Sequence, residues 1–242
     1  VTGSVGKTTT KELIAAALGG AATKTSATPG NANNEIGLPL ALLNLPDGAE
    51  RLVAEMGMYV GGDIADLCAM ARPRVGVVTA IDAVHASRAG NLDAIAAAKG
   101  ELIAALPADG CAVLNADDPR VVALAARGPA PMITAGTGVG ATVRIERVEL
   151  DQVAAHTLVT VATKEGTYIV NLPLFGLHFA TGVALAIATA GICGVPASIA
   201  AARLGDVALP GGRATVRTLG GVRLIDRSEE HTSELQSHVR IS

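Results

Sequence analysis

Aromatic side chains are nearly absent: the 242 residues include no tryptophan, two tyrosines and two phenylalanines. A surface that stacks successive bases of a single-stranded nucleic acid has little to be built from here. Basic charge is not in excess either, with 19 Lys and Arg against 22 Asp and Glu and a net charge of −3. That balance lacks the electrostatic footprint of a nucleic-acid or anionic-membrane partner. The cysteines, Cys68, Cys111 and Cys193, are scattered, without the spacing of a zinc site, a redox pair or a disulfide framework. They read as small core residues of a cytoplasmic protein. The chain opens on Val1-Thr2-Gly3 instead of a charged, then apolar leader, so no secretory signal is expected. One stretch, residues 180–202, carries no charge. It is rich in Ala, Gly, Ser and Thr and is interrupted by Pro196, which predicts two packed helices joined at Gly194-Val195-Pro196 and not a membrane span.

What is present is an apolar half of the chain, enough for one large domain with a real core. Its first part alternates strand and helix signals. Residues 1–2 read as the end of a strand, 7–18 as a helix, 51–56 as a strand and 62–70 as a helix. A β-branched run at 74–80 predicts a buried strand, 91–106 a helix and 111–114 another buried strand. Such alternation predicts an α/β fold with a mostly parallel sheet and helices on both faces. Residues 141–173 instead alternate with period two around the turn Lys164-Glu165-Gly166, which predicts a small antiparallel β-sheet appended to the main fold. Helices return over 178–203, and 222–226 read as a further strand. Residues 227–242 have no apolar period, and their beginning resembles the translation of a sequencing-library adapter. The expected organisation is one domain over 1–226, truncated at both ends with its N-terminal strand incomplete, then a disordered, non-native tail over 227–242.

The chemistry concentrates at the start. Gly3-Ser4-Val5-Gly6-Lys7-Thr8 fits the end of the G-x-x-x-x-G-K-[ST] phosphate loop. Glycines let successive backbone N–H groups turn toward one anion, and the helix that follows adds its positive end. Lys7 is then placed for the β- and γ-phosphates of ATP and the Thr8 hydroxyl for magnesium, with Thr9 next to it. A magnesium ion on a triphosphate needs further oxygen ligands. Glu55 ends a buried strand, where a carboxylate is costly without a cation or donors, and strand ends are where ligands gather in such sheets. His85 follows the strand at 74–80 and so belongs to the same edge. Lys99 sits in an otherwise apolar helix turn. Alone, His85 reads as a loop histidine and Lys99 as a snorkelling lysine; beside a phosphate loop and Glu55 they become candidates.

The segments TGSVGKTTTKE, GNANNEIGLPL, EMG with GGDIADL, His85 to AAAKGE, and LNADDPR resemble the central ATPase domain of the Mur ligase family, over residues 1–226. The resemblance implies a P-loop NTPase-like fold and ATP-dependent amide formation in peptidoglycan precursor synthesis. Within the family, NANNEIGLP and the EMGM…GGDI pairing are most like the member that joins D-alanyl-D-alanine to UDP-N-acetylmuramoyl-tripeptide. It implies ATP and two Mg2+ ions as cofactors. Lys7 and Thr8 would hold phosphates and the first Mg2+, Glu55 would ligate that ion, and His85 would ligate the second. Lys99 matches the lysine that carbon dioxide carbamylates in the family, turning a repelling ammonium into an anionic oxygen donor. Asn33 and Asn34 fall in the segment bordering nucleotide and acceptor; Asn115 and Asp117 border the nucleotide side. Arg213 matches a Gly-Arg near the domain junction. The protein would be a cytoplasmic monomer.

Two departures stand out. In Gly176-Leu177-His178-Phe179-Ala180-Thr181-Gly182 a glycine stands where the family carries its second asparagine near the adenine. After Leu224-Ile225-Asp226, Arg227 replaces an acidic residue, and the family's N- and C-terminal domains are not in the sequence, so this chain alone is expected to bind nucleotide without ligating. Alternatives are a sister Mur-type or folylpolyglutamate synthase-like ligase, a P-loop kinase, or a nucleotide-binding fragment. A GTPase would need N-K-x-D, and Asn115-Ala116-Asp117 does not supply it.

Overall fold

The computed structural model describes residues 1–83, 91–209, 215–219 and 222–226. The helix predicted over residues 7–18 is α1 (Lys7–Leu18). It starts where Gly6 turns the chain at φ 79°, and it stops at Gly19, φ 103°, whose N–H returns to the Ala15 and Ala16 carbonyls. In sequence order there follow β1 (Thr25–Ala27), α2 (Gly37–Leu43), β2 (Arg51–Val53), α3 (Asp63–Ala71), β3 (Val75–Val78), α4 (Leu92–Ala104), β4 (Cys111–Asn115), α5 (Pro119–Ala123) and β5 (Met132–Gly136). Then come β6 (Val143–Asp151), β7 (His156–Thr163), β8 (Gly166–Leu172), α6 (Phe179–Ile192), α7 (Ala197–Leu204), β9 (Thr215–Leu219) and β10 (Val222–Asp226).

Strands β3-β4-β5-β6-β7-β8 form one sheet in that order. The first three pairings are parallel and the last two antiparallel. The period-two segment is therefore an extension of the main sheet: β6 joins β5 through Ala135↔Val143 and Gly136↔Arg144 before turning back on β7. A separate antiparallel pair is made by β9 and β10. On the other side β1 and β2 pair in parallel. The first two residues bridge the gap: Met56 N–H donates to the Val1 carbonyl at 2.9 Å, and Thr2 N–H donates to the Val77 carbonyl at 2.8 Å. The phosphate-loop strand thus lies between β2 and β3.

Alternate side chains of these strands enter two cores. Val77, Val113, Ala135 and Val161 face α1, α6 and α7, with Leu13, Ile14, Leu185 and Leu204. Val78, Ala112 and Leu114 face the other way, with Ile64 and Leu67 of α3, Ile95, Leu102 and Ile103 of α4, and Val121 of α5. Helices therefore cover both faces, the arrangement that makes parallel strands apolar on both sides. Helix α6 is buried nearly all round, because α1 and α7 cover the flank that the sheet leaves open. This accounts for the uncharged stretch: α6 ends at Ile192 and α7 starts at Ala197, after Pro196. Among the described residues no helix is long and apolar enough to cross a membrane.

Candidate functional site

The loop between Thr2 and Lys7 lies at the carboxyl end of the sheet, closed onto the residues after β3. Ser4 N–H donates to the Ala80 carbonyl at 2.8 Å, and its hydroxyl donates to the Asp82 carbonyl at 2.9 Å. The Thr79 hydroxyl donates to the Val5 carbonyl at 2.6 Å. Gly3, at φ 151°, packs so tightly that a Cβ there would overlap Thr79 Oγ1. Glycine at this position is a packing requirement as well as a conformational one. Lys7 Nζ donates to the Gly3 and Ser4 carbonyls at 3.0 and 3.4 Å, folding the ammonium over the loop. Thr8 and Thr9 lie half-buried in the first turn of α1.

Two clefts flank this loop. The first, of about 520 Å³, is lined by Gly3, Ser4 and Lys7 from the loop, Asn33 and Asn34, residues 57–60 after β2, Asp63 and Asp66 of α3, and Lys99 of α4. The structure thus places Lys7, Asn33, Asn34 and Lys99 around one space. Lys99 is 4 % exposed, and burial, reinforced by the nearby positive charge of Lys7, lowers its pKa from 10.5 to about 8. Glu55, 1 % exposed, accepts from Asn33 Nδ2 at 2.8 Å on Oε1. Among the described residues its Oε2 is buried without a hydrogen-bond partner, an arrangement that costs free energy unless something positive meets it. An unsatisfied buried carboxylate oxygen is the kind of donor a hard divalent cation takes, but Glu55 and Thr8 line neither cleft. Asn34 closes a turn, taking Gly37 N–H on Oδ1 at 2.8 Å at the start of α2.

The second cleft, of about 500 Å³, lies on the opposite side of the loop. It is lined by Val5, Gly6, Thr9, Thr10, Thr79, Asn115, His178, Phe179 and Gly182 among others. Asn115 Nδ2 donates to the Thr79 carbonyl at 2.8 Å, tying β4 to β3 at the cleft floor. Asp117 does not line either cleft; its carboxylate takes both the N–H and the hydroxyl of Thr137 at 2.8 Å and so fixes the β5–β6 connection. The His178 ring rests against Phe179, centroids 4.0 Å apart. His85 and Arg213 lie outside the described residues, as do residues 227–242.

At the Gly182 departure the space beside the backbone is narrow. A Cβ at this position would sit 2.8 Å from Leu13 Cδ1 and 3.4 Å from Thr10 Oγ1. Leu13 is wholly buried, so its side-chain end would have to shift within the packed core to admit the new atoms. Gly182→Asn is therefore expected to lower unfolding stability by about 1–3 kcal/mol through overpacking between α1 and α6, read as a lower midpoint in urea.

Several residues near the site have roles that no sequence pattern states, although Asp63 and Glu101 lie in the GGDIADL and AAAKGE segments. Glu101, two positions beyond Lys99, accepts Gly62 N–H at 2.7 Å and Ala65 N–H at 3.0 Å, satisfying the start of α3. Asp63 takes the Tyr59 and Val60 N–H groups on Oδ2, at 2.7 and 2.9 Å, and shapes the cleft wall. Thr79 reads like any residue of a buried strand. Each is identified only by its partner.

The Mur ligase middle domain family matches residues 1–190. UDP-N-acetylmuramoyl-tripeptide–D-alanyl-D-alanine ligase of Mycobacterium tuberculosis (strain ATCC 25618 / H37Rv) is 36 % identical over 228 residues, 93 % of this chain and 44 % of that protein. The enzyme of that name from Synechocystis sp. is 40 % identical over 220 residues, 88 % of this chain and 44 % of its own length. MurF ligase from Thermotoga maritima in complex with ADP superposes with a TM-score of 0.82 at 30 % identity, covering 93 % of this chain and 52 % of that one. MurF from Acinetobacter baumannii gives a TM-score of 0.86 at 26 % identity over 97 % of this chain and 51 % of its own. The chain thus spans less than half the length of the curated relatives it matches.

Proposed function

The chain belongs to the Mur ligase middle domain family, and from that premise we propose that residues 1–226 form the ATP-binding domain of a MurF-type ligase. The reaction is the joining of D-alanyl-D-alanine to UDP-N-acetylmuramoyl-tripeptide. The observation that carries the reading is the first cleft, which gathers the phosphate loop, Lys7, Asn33, Asn34 and Lys99 in one space. The ADP complex of the Thermotoga maritima relative supports a nucleotide in this fold, and the similarity to two ligases of one name supports the acceptor pair.

In this reading the backbone N–H groups of residues 3–8 and the start of α1 hold the phosphates. Lys7 exchanges the Gly3 and Ser4 carbonyls for phosphate oxygens and offsets the charge that spreads over the transferring group. The tripeptide carboxylate attacks the γ-phosphorus of ATP, giving an acyl phosphate and ADP. The amine of D-alanyl-D-alanine then adds to the acyl carbon, and the tetrahedral adduct expels phosphate. Such transfers depend mainly on positioning and charge neutralisation. Two bound Mg2+ ions supply Lewis-acid neutralisation of the phosphate oxygens; Glu55 and Thr8 would hold one, and Lys99 as its carbamate, with His85, the other. Asn33 fixes one Glu55 oxygen through its amide. The second cleft, with Asn115, Thr10, His178 and Phe179 on its walls, is assigned to the nucleoside. Asp117 acts there indirectly, through Thr137.

Calorimetric titration of the chain with Mg-ATP and with Mg-GTP tests the nucleotide part. Saturable Mg-ATP binding is expected, and its absence would remove the reading. Phosphate release that requires both the tripeptide nucleotide and the dipeptide, measured on a ligase of the relatives' full length that carries this segment, tests the rest.

A further inference from the structure

Lys11 is a lysine wholly enclosed by the core, and the chemistry above gives it no task. It lies in α1, one turn beyond Lys7. Its Nζ donates to the Thr28 carbonyl and, at 2.9 Å, to the Gly30 carbonyl, and it meets Glu12 Oε1 at 2.9 Å. These three acceptors match the three donors of an ammonium. Taking that charge out of water still carries a desolvation cost that a methionine of similar volume would not carry. Core filling therefore does not account for a lysine.

The groups it grips belong to the segment that places Glu55. Thr28 accepts Glu55 N–H on its hydroxyl at 3.1 Å and gives its own N–H to the Val53 carbonyl at 3.1 Å. From Gly30, at φ 53°, the chain bends back to Asn33. Asn33 donates its amide to Glu55 Oε1 at 2.8 Å and accepts Gly57 N–H at 2.7 Å. Glu55 is thus held at its backbone N–H by Thr28 and at one carboxylate oxygen by Asn33. The two carbonyls that Lys11 engages lie at the head of that same bend.

We propose that Lys11 is a positioning residue: from the phosphate-loop helix it locks the bend over residues 28–33, so that Glu55 offers its second oxygen to the cation accompanying the triphosphate. This rests on the nucleotide-site reading above. The coupling runs from α1, which carries Lys7 and Thr8, through two backbone carbonyls to a carboxylate on a different strand. Phosphate loop and cation ligand then move as one unit.

The test is the affinity of the whole 242-residue chain for ATP with and without Mg2+, for wild type, Lys11→Met and Thr28→Val. Wild type should bind more tightly with Mg2+. Lys11→Met should lose about 10-fold of that enhancement, the scale on which groups supporting a metal ligand act. Its affinity for metal-free ATP should stay within about twofold. Thr28→Val, which removes the acceptor for Glu55 N–H and keeps the side-chain volume, should lose part of the same enhancement. A folded Lys11→Met with the full Mg2+ enhancement would overturn the proposal. If Lys11→Met does not fold, Thr28→Val decides: an unchanged enhancement overturns the proposal and a reduced one supports it. Wild-type chain that binds no ATP, or binds it indifferently to Mg2+, would instead sink the nucleotide-site reading itself.

Discussion

Replacing Lys7 with alanine is expected to weaken Mg-ATP binding by about 100-fold while leaving the fold intact. In the proposed nucleotide site this ammonium faces the triphosphate, and charge-assisted bonds to phosphate each contribute about 1.5–3 kcal/mol. Removing two such bonds, at the lower end of that range, corresponds to about two decades in the dissociation constant. The partners Lys7 has in this structure include the carbonyls of its own loop, Gly3 and Ser4. Lys7 is only half-buried and these two bonds lie within its own loop, so their loss should change unfolding stability by less than about 1 kcal/mol. Calorimetry and a urea titration on one preparation separate the two effects. Binding within threefold of wild type would show that the triphosphate sits elsewhere. A stability loss as large as the binding loss would show that the lysine holds the loop together.

Lys99 predicts an opposite pattern, a residue whose removal stabilises the protein. Its pKa falls from 10.5 to about 8 because burial, with Lys7 adding to it, disfavours the ammonium. The sign follows from proton counting. Between pH 8 and 10.5 the unfolded chain binds the proton and the folded one releases it, so folding gains stability as pH rises through that window. Below pH 8 both states are protonated and the full penalty remains, about 3 kcal/mol as an upper bound. In carbonate-free buffer Lys99→Met should therefore be more stable than wild type at pH 7, and the difference should shrink toward pH 10.5. A pH-independent difference would contradict the buried ammonium. The same depressed value makes about half of the side chain a neutral amine at pH 8, the form that takes up carbon dioxide with loss of a proton. With 13C-bicarbonate, a carbamate carbonyl signal is expected in wild type and not in Lys99→Met. Its absence from both would remove the proposed second-cation role of this lysine.

Legibility in the sequence followed the range of the interactions involved. The helix over residues 7–18 was readable to its ends because its signals are local: a glycine loop before it, apolar spacing within it and Gly19 after it. The strands at 75–78 and 111–115 were readable because both their faces are buried, which leaves an unbroken apolar run. Strand β1, only three residues long, helix α2, with Pro39 in its first turn, and β5, which follows a Gly-Pro-Ala-Pro stretch, gave no period to read. The antiparallel segment was readable as strands but not as part of the main sheet. Joining β6 to β5 depends on two residue pairs formed across a turn, not on any pattern within either strand.

The same division holds for the site and for the phosphate loop with which the chain begins. The sequence by itself determined that a triphosphate could be held at Gly3 to Thr8, because six contiguous residues carry all that this requires. It also determined the alternation that puts strand ends together at one edge. Only the tertiary structure decided that Lys99 is buried within reach of Lys7's charge, and that Asn33 occupies one Glu55 oxygen and leaves the other without a partner among the described residues. It alone decided that Leu13 lies against Gly182, and that Lys11 grips the bend behind Glu55. The reason is physical: a motif encodes backbone conformation among neighbours, whereas charge, burial and hydrogen-bond satisfaction depend on atoms brought together from about 20 to 170 positions apart along the chain, an order-of-magnitude span set by the fold of the sheet and not by local pattern.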